Sequence, residues 1–193
     1  MKKILAATNN QGKIREIKEI LSDYEIISLK EINCEIEIEE DGKTFEENAM
    51  KKAKAIFELT HIPCIADDSG ICVDKLNGWP GVHTARFLGK KASQEERNLA
   101  IINKVNEGDA ENRKARVNCT IAYVDKDIEY IASGEITGDI TKEPRGNNGF
   151  GFDSIFELES GKTLAELTNE EKNNVSSRKI ALNRLKEKFR RLI

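Results

Sequence analysis

Two runs rich in Val, Ile, Tyr and Thr, residues 114–124 and 128–137, flank the short polar segment Asp125-Lys126-Asp127. Strand-forming runs parted by a few polar residues predict a β-hairpin. The hairpin constrains everything around it. The rest of the chain alternates helix-like and strand-like segments, the pattern of an α/β protein. Adjacent strands joined by a tight turn run antiparallel, so a mixed sheet is expected and not an all-parallel one.

Ahead of the hairpin, residues 3–8 read as a buried strand. Asn9 or Asn10 caps a helix from about 11 to 22 whose apolar stripe is Ile14, Ile17 and Leu21. Residues 25–29 predict a second strand. Residues 35–40 alternate Glu and Ile, as in a half-buried strand with an acidic face. Thr44-Phe45-Glu46-Glu47 is a capping-box pattern that opens a helix to about residue 60. Strand 62–66 follows, then a turn at Asp67-Asp68-Ser69-Gly70, with residues 71–75 continuing as a strand beyond it. Ser93-Gln94-Glu95-Glu96 opens another helix, expected to stop at Gly108. After the hairpin come a Gly/Asn-rich loop at 143–149, a capped turn at Thr168 and a final helix over about 176–192.

At 193 residues the chain is long enough for a proper core, and no Pro/Gly/Ser linker divides it. Charged residues make up 34% of it, and no apolar run approaches the roughly 20 residues of a membrane helix. The short apolar start ends at Asn9-Asn10, which reads as a first strand and predicts a cytoplasmic protein. A net charge of −3 argues against nucleic acid as a partner. Cys34, Cys64, Cys72 and Cys119 form no C-x-x-C pair and read as reduced, buried small hydrophobes.

Chemistry concentrates in a few stretches. Asp67 and Asp68 place two like charges side by side, where ionising both is costly and a divalent cation relieves the cost. A solvated acidic turn is the plainer alternative. Thr8-Asn9-Asn10-Gln11-Gly12-Lys13 feeds a strand into a helix start, where unpaired N–H groups and a lysine suit a phosphate, or simply cap the helix. Acidic residues 37–41 either add a metal ligand beside Asp68 or form a solvated face. Asn147 to Asp153 brackets glycines with two aromatics, suited to stacking on a base or to filling the core. Lys172 and Arg178 near helix starts suit phosphate or a purine carbonyl. No Ser/His/Asp or Cys/His nucleophilic set is present.

Taken in order, these blocks carry a resemblance. Thr8 to Lys13, Thr44 to Ala49 with Lys52, Ala66 to Gly70, Pro80-Gly81 with Ala85-Arg86-Phe87, Gly149 to Asp153, and Ala165 through Lys172 to Ser177-Arg178 resemble the inosine triphosphate pyrophosphatase family end to end. The resemblance implies a single domain over 1–193. Its fold would be a two-lobed α/β structure, a long mixed β-sheet flanked by helices with an active-site cleft between the lobes. It implies Mg²⁺-dependent hydrolysis of ITP, dITP and XTP to the monophosphate and pyrophosphate, by a homodimer that cleanses the nucleotide pool. Carried over by position, Thr8, Asn9, Asn10, Gln11, Gly12 and Lys13 would hold the triphosphate. Asp68 would be metal ligand and general base, with Glu40 the second ligand and Glu39 its rival. Lys52, Ser69 and Arg86 would contact substrate. Phe150, Gly151, Phe152 and Asp153 would sandwich and position the base, and Lys172, Ser177 and Arg178 would complete the pocket, Arg178 facing a 6-keto oxygen. Bacterial members carry His where this chain has Ser177, a residue that hydrogen-bonds but cannot stack.

Overall fold

The computed structural model describes residues 2–89, 91–107 and 111–191. Six strands form one sheet, β1 (Lys3–Ala6), β2 (Glu25–Ser28), β3 (Cys64–Val73), β4 (Lys114–Val124), β5 (Glu129–Ile140) and β6 (Phe156–Glu157), in the order β2-β1-β3-β4-β5-β6. The sheet is mixed as expected: β1 pairs in parallel with β2 and β3, while β5 and β6 run antiparallel. At the hairpin turn the Asp125 carboxylate accepts from the amides of Asp127 and Ile128. Among the described residues five α-helices are interspersed: α1 (Gln11–Ile20), α2 (Phe45–Thr60), α3 (Gln94–Asn106), α4 (Asn169–Val175) and α5 (Ser177–Arg190).

The chain forms two compact units. The first comprises Met1–Asp68, Cys119–Gly134 and Ser177–Ile193, and the second Ser69–Asn118 and Glu135–Ser176. In the first unit, side-chain alternation along the strands builds two cores at once. Ile4 and Ala6, Ile65, and Cys119, Ile121 and Tyr123 pack with Ile17 and Leu21 of α1 and Leu182, Leu185 and Phe189 of α5. Their strand neighbours Leu5 and Ala7, Cys64 and Ala66, and Ala122 and Val124 pack with Ala49, Ala53 and Ile56 of α2. Strands buried on both faces explain why these segments read as continuous apolar runs. Gly134 of β5 is required for close packing. A Cβ there would sit 2.2 Å from the Ser177 carbonyl oxygen, so only glycine admits the start of α5. In the second unit Ile71, Val73, Ile101, Val105, Val117, Ile140, Phe156 and Leu164 form a separate core.

Several expectations are corrected. No turn interrupts Asp67-Asp68-Ser69-Gly70, because β3 runs unbroken from Cys64 to Val73. Strand pairing overrides the local turn preference of those residues. Residues 35–40 are not a strand but irregular chain without ladder partners, although Ile38 packs against the α2-side core. The Thr44 capping box is half-formed. Thr44 accepts from the Glu47 amide, but the Glu47 carboxylate accepts from the Lys43 amide and not from Thr44. Complete boxes cap α3 at Ser93 and α4 at Thr168. The expected stop at Gly108 and the expected last helical residue, 192, lie outside the described residues.

All four cysteines are free, with Cys64 and Cys119 buried and Cys34 and Cys72 only half-buried. Burial pushes the Cys64 and Cys119 thiols up to about 12, which disqualifies both as nucleophiles. Among the described residues no helix is long and apolar enough to cross a membrane.

Candidate active site

The unbroken course of β3 decides how the two aspartates are used. Successive side chains of a strand point to opposite faces. Asp67 therefore follows Ile65 toward α1 and α5, and Asp68 follows Cys64 and Ala66 toward α2. The crowding of like charges suggested by their adjacency is relieved by sending the carboxylates to different surroundings.

On the α1/α5 side, Asp67 Oδ2 lies 2.9 Å from Lys13 Nζ and 3.0 Å from Arg178 Nη2. Arg178 Nη1 donates to Glu16 Oε2. Lys13 and Glu16, three residues apart on α1, project from one helix face and meet this cluster together. Burial opposes ionisation of Asp67, but Lys13, Arg178 and Lys52 outweigh it and hold the carboxyl well below the usual range. Its second oxygen, Oδ1, is buried with no hydrogen-bond partner among the described residues.

On the α2 side, Asn48 Nδ2 donates to Asp68 Oδ2 at 2.9 Å. Lys52, one turn further along α2, donates to Glu40 Oε1 and to the Asp67 carbonyl oxygen, and lies 4.0 Å from Asp68 Oδ1. Burial raises the Asp68 pKa, the nearby Glu40 charge adds to the rise, and Lys52 only partly offsets it. A buried carboxylate of raised basicity is suited to accept a proton from water. Glu40 is half-buried against Lys52 while Glu39 is exposed, so the structure brings Glu40 and not Glu39 to the lysine that faces Asp68.

The first βα junction is ordered by its own side chains. Asn10 Oδ1 caps α1 by accepting from the Lys13 amide at 3.1 Å, and Thr8 Oγ1 accepts from the Asn10 amide at 3.2 Å. Asn9, Asn10 and Gln11 are exposed, with Thr8, Gly12 and Lys13 half-buried. Ser177, the first residue of α5, is buried one position before Arg178.

In the second unit, Asp153 organises the glycine-rich loop. Its Oδ2 accepts from the Phe150 amide at 2.7 Å and from Lys172 Nζ at 2.6 Å. The same ammonium lies 4.1 Å from the centroid of the Phe150 ring, a cation–π contact. Asp153 and Lys172 are both buried, while Phe150 is half-buried. Phe152, half-buried like Phe150, packs against the core of its unit. Gly149 is essential to the clasp: its φ is +80° and a Cβ would come within 2.2 Å of Asp153 Oδ2. Ser69 lies half-buried in β3, and Arg86 is half-buried after a 3-10 turn at Gly81–His83.

The site residues thus fall into two groups, each coherent within its unit. Lys13, Glu40, Lys52, Asp68 and Arg178 belong to the first, and Phe150, Asp153 and Lys172 to the second. Arg178, expected at a purine carbonyl, sits among carboxylates. Sequence reasoning missed Glu16 and Asn48. The signal available was a polar residue three or four positions from a candidate lysine on the same helix face, Glu16 with Lys13 and Asn48 with Lys52.

Comparison with known proteins bears on the chain as a whole. The model of the Ham1 family matches residues 4–188. A Geobacter sulfurreducens protein named dITP/XTP pyrophosphatase is 45% identical over 191 residues, covering 97% of this chain and 96% of its own. The solved Ham1 protein of Staphylococcus aureus superposes with a TM-score of 0.89 at 38% identity, covering 100% of both chains. A solved HAM1 protein from Coxiella burnetii gives a TM-score of 0.90, also at 38% identity, covering 99% of this chain and 100% of that one.

Proposed function

The chain belongs to the Ham1 family, and from that footing we propose that it hydrolyses ITP, dITP and XTP to the monophosphate and pyrophosphate. The observation that carries the chemistry is Asp68. It is a buried carboxylate of raised pKa, fixed by Asn48 and facing Lys52. Phosphoanhydride cleavage needs an oriented water and neutralised charge more than it needs covalent catalysis. Asp68 orients the water and takes its proton. Asn48 holds the carboxylate in place, and Lys13, Lys52 and the capped start of α1 receive phosphate oxygens.

The donor set fits a magnesium ion. Glu40 and Asp68 both face the Lys52 ammonium, which supports reading them as carboxylates that take a cation. Among the described residues no group of three or more His, Cys, Asp or Glu side chains is placed to hold a metal. Mg²⁺ commonly binds through one or two carboxylates, keeping waters and substrate phosphates as its other ligands. Glu40 and Asp68 would hold it, and when bound it supplies charge neutralisation on the phosphates.

For the base, the exposed part of the Phe150 ring offers a stacking face. Lys172, whose ammonium lies against the Phe150 ring, is the donor for a 6-keto oxygen. An adenine amino group facing such a donor would leave it unpaired, which discriminates strongly in a buried site. The same reading carries a cytoplasmic enzyme acting as a homodimer on the nucleotide pool, and sedimentation equilibrium reads the assembly. Purified protein with Mg²⁺ and ITP is expected to release IMP and pyrophosphate. Release of IDP and orthophosphate would overturn the assigned bond.

A further inference from the structure

Asn98 of α3 has no place in the chemistry above, yet it is 4% exposed and its amide makes three contacts within the second unit. Nδ2 donates to the Gly151 carbonyl oxygen at 3.0 Å and to Ser154 Oγ at 3.3 Å. Oδ1 accepts from Gln94 Nε2, one helical turn earlier, at 2.9 Å. A buried asparagine with both ends of its amide engaged fixes whatever it touches, because a wrongly turned amide would oppose like atoms.

What it touches is the middle of the loop that carries Phe150. That loop is intrinsically loose, since Gly149 and Gly151 both occupy positive φ, at +80° and +65°. It also has room to move. A cavity of about 590 Å³ is lined by Asn98 together with Gly149, Phe150 and Gly151. The Asp153 clasp restrains the Phe150 amide at one point. Asn98 restrains Gly151, the residue on the other side of the ring.

We infer that Asn98 is a positioning residue for base recognition, holding the Gly149–Asp153 loop so that the Phe150 ring is presented in one orientation. It touches no reacting atom and acts through Gly151. This rests on the proposal that Phe150 stacks on the base.

The test compares a substrate that has a base with a probe that has none. Asn98→Asp keeps the shape and replaces the donor with an acceptor facing the Gly151 carbonyl. Leaving that buried oxygen unpaired is expected to raise KM for ITP roughly tenfold to a hundredfold. The kcat is expected to stay within about threefold, and ITP-over-ATP discrimination to fall. Inhibition by inorganic tripolyphosphate, which has no base, is expected to be unchanged. Asn98→Gln restores the donor and is expected to recover part of the KM. Gln94 is exposed, so Gln94→Leu serves as a variant that folds safely while loosening Asn98, with a smaller KM rise in the same direction. Equal weakening of ITP and tripolyphosphate, or no change in KM for ITP in either variant, overturns the inference. Phe150→Ala separates the two levels. If it leaves KM for ITP unaltered, the stacking proposal itself fails. If it raises KM while Asn98→Asp does not, only the positioning role fails.

Discussion

Replacing Arg178 with Met tests the buried charge cluster directly. Met fills much of the volume of the arginine stem, so the chief loss is the guanidinium and not packing. That guanidinium meets Glu16 on one side and Asp67 on the other, and all three side chains are at most 8% exposed. Removing one partner of a buried ion pair typically costs about 3–5 kcal/mol, because the remaining charge stays desolvated. Here two carboxylates lose a partner, while Lys13 remains beside Asp67. For a chain of this size each kcal/mol shifts Tm by about 2–4 °C, so a fall of roughly 6–20 °C is expected. The pH dependence is specific. The folded-state pKa of Asp67 is depressed, so its contribution is fully present above the unfolded value near ~3.9 and is lost as pH falls through the folded value. Without Arg178 the folded pKa rises. The stability gap between wild type and variant is therefore widest at neutral pH and narrows as the carboxyls protonate below about pH 4. Adding Glu16→Gln to Arg178→Met removes one stranded charge and is expected to recover part of the loss, a non-additive pair. Urea unfolding followed by circular dichroism at pH 7 and in acid reads all three proteins. A neutral-pH loss under about 1 kcal/mol, or a gap that does not change with pH, would refute the account of a buried, mutually dependent cluster.

Asp68→Asn is expected to lower kcat by about a hundredfold to ten-thousandfold while nucleotide binding persists, and unchanged turnover would remove Asp68 as the base. In the metal-free wild type, Asp68 is expected to titrate above an ordinary aspartate, read by carboxyl chemical shift against pH, and Asn at this position abolishes that titration. Gly149→Ala places a Cβ against Asp153 Oδ2 at a positive φ. It is expected to destabilise by about 1–3 kcal/mol and to raise KM for ITP, and a variant matching wild type in both would count against the Asp153 clasp.

The elements legible in the sequence are those whose determinants are local. The hairpin, the Ser93 and Thr168 boxes and the Asn10 cap all depend on residues within four positions of one another. Where local and tertiary preferences conflict, the tertiary one prevails. Asp-Asp-Ser-Gly favours a turn in isolation, but the chain continues as β3, with the Ile71 amide donating to Thr84 Oγ1 and Cys72 bridging to Pro80. The Glu/Ile alternation at 35–40 marked which side Ile38 would bury, but burial alone does not supply a ladder partner. Residue types likewise located the chemistry without its pairings. Asn48, Glu16 and Asn98 meet partners 20, 162 and 53 positions away, and no local pattern encodes that.

The alternation of Asp67 and Asp68 across β3 has a consequence for how such a site can change. The strand between them separates two surroundings that are neighbours in the chain, with Lys52 bearing on both. Both are buried, but one is crowded with protein cations that keep its carboxyl ionised at neutral pH, while in the other burial and Glu40 raise the carboxyl's pKa. Their properties belong to odd and even positions of the strand and not to the residue type, which is the same. A one-residue deletion upstream in β3 would exchange the two environments without altering composition, leaving two aspartates in the wrong places. Changes on α1 and α5 therefore act chiefly on Asp67 and changes on α2 chiefly on Asp68, with Lys52 coupling the two, so long as the count of residues along β3 is kept.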